Sequence, residues 1–318
     1  MTIPAEPLGD VHMNRRDSGY EQRGPSFGAV ARDLVALTKP RVTVIVVATM
    51  LGGAWVANRF AHEQGLPGVS PGVVMLSLLA TVLVVGGANA LNMYLERDTD
   101  GFMARTKNRP LPAGRISPKL ALWFGLAISA LSLGLFGLAV NMTTTLLAAF
   151  ALFSYVLIYT PLKRKTTLAL LIGSVPGAIP PLLGWTTVTD RVDGPGAALF
   201  GILFLWQVPH FLAISMFRSR DYQRAGLKVL PIERGDRHTR HQIVGYLVLL
   251  VLVSLLLVPL GVAGPVYLAS AALLGLGFLG FGAWGLRPTV LGTRWARRLF
   301  AISIVYLMLL HAALIIGA

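Results

Sequence analysis

The sequence predicts an all-α polytopic membrane protein of nine transmembrane helices, N-terminus inside and C-terminus outside, with cap loops over the inside face. Three observations predict it. The 318 residues are 54% hydrophobic and only 13% charged, about half the ~25% charged share of a soluble domain. Apolar stretches of about 20 residues, the length that crosses the hydrocarbon core, can be placed nine times. The basic residues then sort by side, as the positive-inside rule requires: 26 of the 28 Lys and Arg fall on the tail and on alternate connections.

In order along the chain, the first span covers 42–60 and follows a tail holding Arg15, Arg16, Arg23, Arg32, Lys39 and Arg41. The second, 73–94, leads into Arg97, Arg105, Lys107, Arg109, Arg115 and Lys119. The third and fourth, 119–139 and 143–161, have no cation between them and end in Lys163, Arg164 and Lys165. The fifth, 167–186, contains GSVPGAIPPLLGW. Its glycines and prolines allow close helix approach and kinks, so it reads as a wall of a cavity. The sixth, 197–217, precedes Arg218, Arg220, Arg224, Lys228, Arg234, Arg237 and Arg240. The seventh and eighth, 242–262 and 265–285, lead to Arg287, Arg294, Arg297 and Arg298, and the ninth covers 299–317. Only Arg59 and Arg191 remain outside, and an eight- or ten-span chain would scramble this partition. The two long inside connections, after spans two and six, are expected to form short helices over one mouth.

Residues 1–35 are polar without apolar periodicity and read as a disordered cytoplasmic tail, leaving 36–318 as one intramembrane domain. No signal peptide is expected there, and Glu6, Asp10, Asp17 and Glu21 argue against a transit peptide. The chain has no Cys, which excludes disulfides, thiolate metal sites and covalent haem attachment. A formal charge of +14 would suggest nucleic acid for a soluble protein. Here the lipid bilayer accounts for it, and no nucleic-acid partner is expected.

The most informative segment is NALNMYLERDTDGFMARTKNRPLPAGRISP, from Asn89 to Pro118. On a helix Asn92, Glu96 and Asp100 fall four residues apart and share one face. They present an amide oxygen and two carboxylates, the hard ligands Mg²⁺ prefers. Acids at a helix C-terminus oppose the macrodipole, so a capping role explains them poorly. Asp98 lies on the opposite face and carries less weight. Arg105, Lys107 and Arg109 follow, suited to phosphate oxygens that such a metal bridges, although inside loops are basic in any case. Pro110, Pro112 and Gly114 fix a rigid turn behind them. Together these residues imply diphosphate chemistry at the membrane edge.

Other residues carry two readings each. Asp221, between Arg218, Arg220 and Arg224, is either an ion pair or a second metal locus with phosphate-binding arginines. Tyr155 and Tyr159 share a helix face, as interfacial anchors or as rings that shelter an allylic cation. Lys163 and Arg164 follow them as further diphosphate ligands. His210, in WQVPHF within span six, faces the protein interior and is either a packed histidine or part of a site. His238 and His241 sit in a solvated basic loop.

These residues resemble the UbiA superfamily of intramembrane prenyltransferases and, within it, the haem-farnesylating branch. The first signature of the superfamily, Asn-Asp-x-x-Asp-x-x-x-Asp, is met as Asn92, Met93, Glu96 and Asp100. LTKPRV (Leu37 to Val42), RTKNRPLPAGRISP, YTPLKRKT, GAIPPLLGW, VPHF and DYQRAGLKVLP match in order between about 37 and 240. Met93 and Glu96 replace superfamily acids, and the second site offers Asp221 beside arginines where quinone-type relatives have paired aspartates. The resemblance implies a UbiA-type helical bundle and farnesyl diphosphate held on Mg²⁺ by Asn92, Glu96 and Asp100, with Asp221 as the second locus. It implies haem b as acceptor substrate, giving haem O in haem A and terminal-oxidase biogenesis. His210 is then a haem ligand or orienting group, Arg218 and Arg220 are partners for the haem propionates, and a haem A synthase is a candidate partner. The expected location is the cell (inner) membrane, multi-pass, with the active-site mouth on the cytoplasmic side. A prenyltransferase for an aromatic quinone precursor is the alternative. A transporter fits less well, because the acids cluster at one mouth. A purely structural assembly factor would not need this acid–base constellation.

Overall fold

The computed structural model describes residues 26–103 and 106–317, and every regular element among them is helical. The order is α1 (Phe27–Leu37), α2 (Pro40–Glu63), α3 (Pro71–Asp100), α4 (Pro118–Ala139), α5 (Met142–Phe153) and α6 (Thr160–Leu162). There follow α7 (Ala169–Thr189), α8 (Gly194–Phe217), α9 (Ser219–Arg224), α10 (Leu230–Leu255), α11 (Pro265–Trp284) and α12 (Gly292–Gly317). A π-helical turn, Ser154–Tyr159, fuses α5 and α6 into one span, Met142–Leu162. Nine spans among the described residues are long and apolar enough to cross a membrane, and the chain is a multi-pass membrane protein.

The chain marks these helix starts locally. Ser26, Ser70, Ser117, Asn141 and Asp193 each accept from the backbone N–H three residues on, satisfying a donor the helix leaves open. Proline stands in the first turn of α2, α3, α4, α8, α10 and α11, where its missing N–H costs nothing.

Close backbone approach sets the packing of α2 on α7. A methyl on Gly53 would overlap the Pro181 carbonyl, and one on Gly184 would overlap the Met50 carbonyl. The proline-rich α7 is the most buried span, as expected for an inner wall. One apolar core gathers α2, α7, α8, α10, α11 and α12 around Trp185, Tyr267 and Trp295; another joins α2, α3, α4, α5 and α7 around Phe136 and Met50. A third, with Leu37, Met93, Leu111 and Ile116, pins the loop after α3 to the helix ends.

The segments rich in Lys and Arg do meet at one end of the bundle. Lys39 reaches α3, the backbone N–H of Lys228 donates to the Lys163 carbonyl, and Arg240 donates to the carbonyls of Gly285 and Val290. At the opposite end Asn141 donates to the Thr186 carbonyl and Gly264 to the Gly317 carbonyl.

Three expectations are corrected. Residues 27–35, assigned to an irregular tail, belong to α1; residues 1–25 lie outside the described residues. An isolated 11-residue helix is marginal, but Asp33 is buried against Arg115 (Nε–Oδ1 3.1 Å) and Leu37 enters the third core, so tertiary contacts hold α1. The loop after α3 forms successive turns and no helix among its described residues, since Pro110, Pro112 and Gly114 interrupt one. The seventh span runs Leu230–Leu255, not 242–262. Its first turn is split off at Gly235 (φ 78°, ψ 166°), a backbone setting that glycine adopts without strain.

Candidate functional site

The last turns of α3 carry the site. At 1.5 Å per residue its 30 residues span about 45 Å, longer than the ~30 Å hydrocarbon core, so the final turns stand at the basic end. Asn92, Glu96 and Asp100 lie on one face, and each is answered by a cation from another segment. Lys39 Nζ donates to Asn92 Oδ1 (3.3 Å), Lys163 Nζ to Glu96 Oε1 (2.9 Å) and Arg109 Nη1 to Asp100 Oδ2 (2.6 Å). The Asp100 side chain is 1% exposed. Thr106 Oγ1 donates to the Asp100 carbonyl (2.6 Å), tying the loop that carries Arg109 back onto the helix.

The fourth span is shaped for this contact. Its π-helical turn places Tyr155 and Tyr159 with ring centroids 5.3 Å apart, and Thr160 Oγ1 accepts from Asn92 Nδ2 (3.1 Å). π-Turns inside α-helices recur at functional sites. Lys163 Nζ lies 4.4 Å from the Tyr159 ring centroid, so this ring already faces a cation. Gly173 of α7 lets the ring sit there; a methyl on Gly173 would overlap it. Arg164 donates to Thr99 Oγ1 on α3.

Lys39 is a site residue that the sequence pattern did not single out, although it stands in LTKPRV. It adopts φ 51°, ψ 64° directly before Pro40, a left-handed setting that costs a residue with a side chain about 1–2 kcal/mol. Such strain persists where the surroundings over-determine it, commonly at functional sites. Asn89 Nδ2 donates to the Thr38 carbonyl (3.3 Å), so two asparagines of α3 hold this corner. Burial, with Arg109 and Lys163 nearby, pushes the Lys39 ammonium down to about 7. A new anion here would relieve that crowding.

The remaining calls divide. Arg105 lies outside the described residues. Lys107 is exposed and makes no ion pair among the described residues. Asp221, on α9, does not join Asn92, Glu96 and Asp100: it pairs with Arg218 (3.2 Å), the residue capping that helix, and lines a separate cavity with Arg220. Of the two readings of Asp221, an ion pair or a second metal locus, the geometry shows the ion pair. Among the described residues no three His, Asp or Glu converge on an ion position; the α3 face offers two acids and an amide oxygen, each held by a cation. His210 is packed: its ring stacks on Trp206 (4.7 Å) and lies against Phe300 (4.7 Å), and its Nδ1 is 2.7 Å from Ser303 Oγ.

An oxygen-bearing helix face ringed by Lys and Arg at a membrane edge is a place to hold a diphosphate. The family model for UbiA prenyltransferases matches residues 45–305. The chain belongs to the UbiA prenyltransferase family. A protoheme IX farnesyltransferase of Sorangium cellulosum is 64% identical over 86% of this chain and 100% of its own length. One from Myxococcus xanthus is 52% identical over 92% of this chain and 96% of its own. The fold is shared with a digeranylgeranylglyceryl phosphate synthase (TM-score 0.77, 18% identity, 90% of this chain and 98% of that one). It is also shared with a UbiA homologue of Archaeoglobus fulgidus bound to DMAPP and Mg²⁺ (TM-score 0.62, 16% identity, 89% and 99%).

Proposed function

We propose that this UbiA-family chain transfers a farnesyl group from farnesyl diphosphate to the vinyl group of protohaem IX, converting haem b to haem O. The observation that carries the donor half is the α3 face, where every oxygen ligand is matched by a cation from a different segment. The acceptor half follows the near-full-length likeness to the protoheme IX farnesyltransferases.

Asn92, Glu96 and Asp100 supply the oxygens that suit Mg²⁺. Bound there with the diphosphate, the ion would draw off negative charge as the leaving group departs. Lys39, Lys163 and Arg109 exchange their present partners for phosphate oxygens and stabilise the same developing charge. The C–O bond of the donor breaks with its electron pair leaving on diphosphate. The vinyl carbon attacks the allylic cation, and a C–C bond forms. Water captures the resulting porphyrin-stabilised cation and releases a proton, leaving a hydroxyethylfarnesyl group. The Tyr159 ring, paired with Tyr155, lies under Lys163 of this face, and the two rings would screen the reacting carbon from bulk water.

The basic end is assigned to the cytoplasmic side of the bacterial inner membrane, which puts the mouth within reach of a water-soluble diphosphate. Haem O then passes to an enzyme that oxidises it further, such as a haem A synthase.

The test is mass spectrometry of haems extracted from membranes holding this protein, supplied with haem b, farnesyl diphosphate and Mg²⁺. A magnesium-dependent haem O peak, absent with Asp100→Asn, is expected. Well-folded protein that makes none overturns the acceptor assignment and directs the assay to hydroxylated aromatic acids.

A further inference from the structure

The basic end holds a second concave site, built from other helices than the acid face. A cavity of about 550 Å³ is lined by Phe217, Arg218, Arg220 and Asp221 at the α8–α9 corner and by Thr293 and Arg297 of α12. Three guanidinium groups stand against one carboxylate, an excess of two positive charges. The carboxylate is taken by Arg218. Arg220 and Arg297 make no ion pair among the described residues.

Behind the cavity the wall is aromatic. The Arg297 guanidinium lies 5.9 Å from the Phe217 ring centroid, Phe217 meets Phe300 at 5.8 Å, and Phe300 meets His210 at 4.7 Å. Ser303 fixes this wall from α12, its Oγ 2.7 Å from His210 Nδ1 and its carbonyl accepting from Trp206 Nε1 (2.7 Å). The site therefore offers two unpaired planar cations at its mouth and a rigid apolar flank.

We propose that this cavity docks the acceptor by its two propionate carboxylates, with Arg220 and Arg297 holding them and the Phe217–Phe300 wall facing the edge of the tetrapyrrole. The inference rests on the reading of haem as acceptor. Guanidinium forks match carboxylates two bonds at a time, and the cavity is of the size that takes small-molecule ligands. With its sole carboxylate already paired, it has no free acid to hold a divalent ion, which separates it from the diphosphate site on α3.

The test uses the full chain in nanodiscs of zwitterionic lipid, titrated with iron protoporphyrin IX and with its dimethyl ester, beside steady-state kinetics. Arg297→Gln is expected to weaken haem binding on the order of tenfold, the size of one charged hydrogen bond. The KM for haem should rise while that for farnesyl diphosphate stays, and Arg297→Lys should recover part of the loss. The ester, which lacks both carboxylate charges, should bind the native protein more weakly than haem binds Arg297→Gln, with little further loss in the variant. Unchanged haem affinity in a folded Arg297→Gln protein overturns the proposal. So does an equal loss for haem and ester, or a rise confined to the KM for farnesyl diphosphate. A difference seen only with anionic lipid in the disc would assign the arginines to headgroups and also overturn it. Should Arg297→Gln not fold, Arg220→Gln, on the exposed α9, carries the same test. Native protein that neither binds nor farnesylates haem removes the acceptor reading as well, whereas haem O production with arginine-independent binding removes this inference alone.

Discussion

Two regions at the same end of the bundle handle charge in opposite ways. On the α3 face Lys39, Lys163 and Arg109 are set against Asn92, Glu96 and Asp100, largely out of water and pair by pair. In the α8–α12 cavity the arginines are exposed and exceed the acid, and Arg297 lies over the Phe217 ring. A site that must hold a metal and its diphosphate needs both signs of charge and little water. A site that receives a finished dianion needs only cations and a wall. On the proposed reading, the basic surplus that membrane topology brings to this end serves two chemical uses.

The contrast breaks most sharply at Asp100. Asp100→Asn takes the counter-ion from Arg109, which is partly exposed, so the loss should lie below the ~3–5 kcal/mol of breaking a fully buried pair. It also removes a candidate metal oxygen. Haem O production should fall by more than about 100-fold, the size seen when a preorganised charge partner is lost, and thermal unfolding should shift downward. Wild-type turnover from Asp100→Asn would refute the assignment of this face to the reaction. Lys163→Met ranks next. It strips Glu96 of its partner and takes one cation from the leaving group, so kcat should drop by about 10- to 100-fold with haem affinity unchanged. If haem affinity falls instead, the two regions are not separate sites.

These largest effects fall on residues that were legible to different degrees. Asn92, Glu96 and Asp100 could be read from four-residue spacing beyond a hydrophobic span, because a helix carries that spacing straight into one face. The nine spans were legible for the same reason, with charge deciding between topologies. Lys39 was not, since what marks it is a left-handed backbone and a contact 53 positions away. Arg297 was counted only as one of the inside cations; nothing local shows that α12 brings it over Phe217. α1 was missed because Asp33 and Arg115, which dock it, are 82 residues apart. Asp221 stayed open between an ion pair and a second metal locus for the same reason: a loop's composition says which charges it carries, and packing alone says what they meet.

A smaller effect tests the support behind the α3 face. Gly173→Ala forces a methyl into the Tyr159 ring, and overpacking of this kind costs about 1–3 kcal/mol. The ring cannot retreat without moving Lys163, which lies over it. The expected outcome is a lowered unfolding temperature together with a several-fold lower kcat. Lowered stability with native kcat would show that the Tyr159–Lys163 contact does not position the cation.

The smallest expected effect sharpens the comparison most. Asp221 resembles a family acid by position, yet among the described residues its one ion pair is with Arg218, three residues back at an exposed helix end. Exposed pairs of this sort are worth about 0–1 kcal/mol, so Asp221→Asn should leave stability within that margin. Its magnesium dependence should match that of the native protein, since no oxygen ligand of the α3 face lines its cavity. If anything, neutralising it frees Arg218 and raises the positive excess, so the KM for haem should fall slightly. A magnesium requirement shifted tenfold or more would put Asp221 back among the metal ligands and merge the two regions into one site. An unchanged requirement with a lowered KM for haem keeps them apart, with one end of the membrane domain holding the donor by metal and the acceptor by arginine.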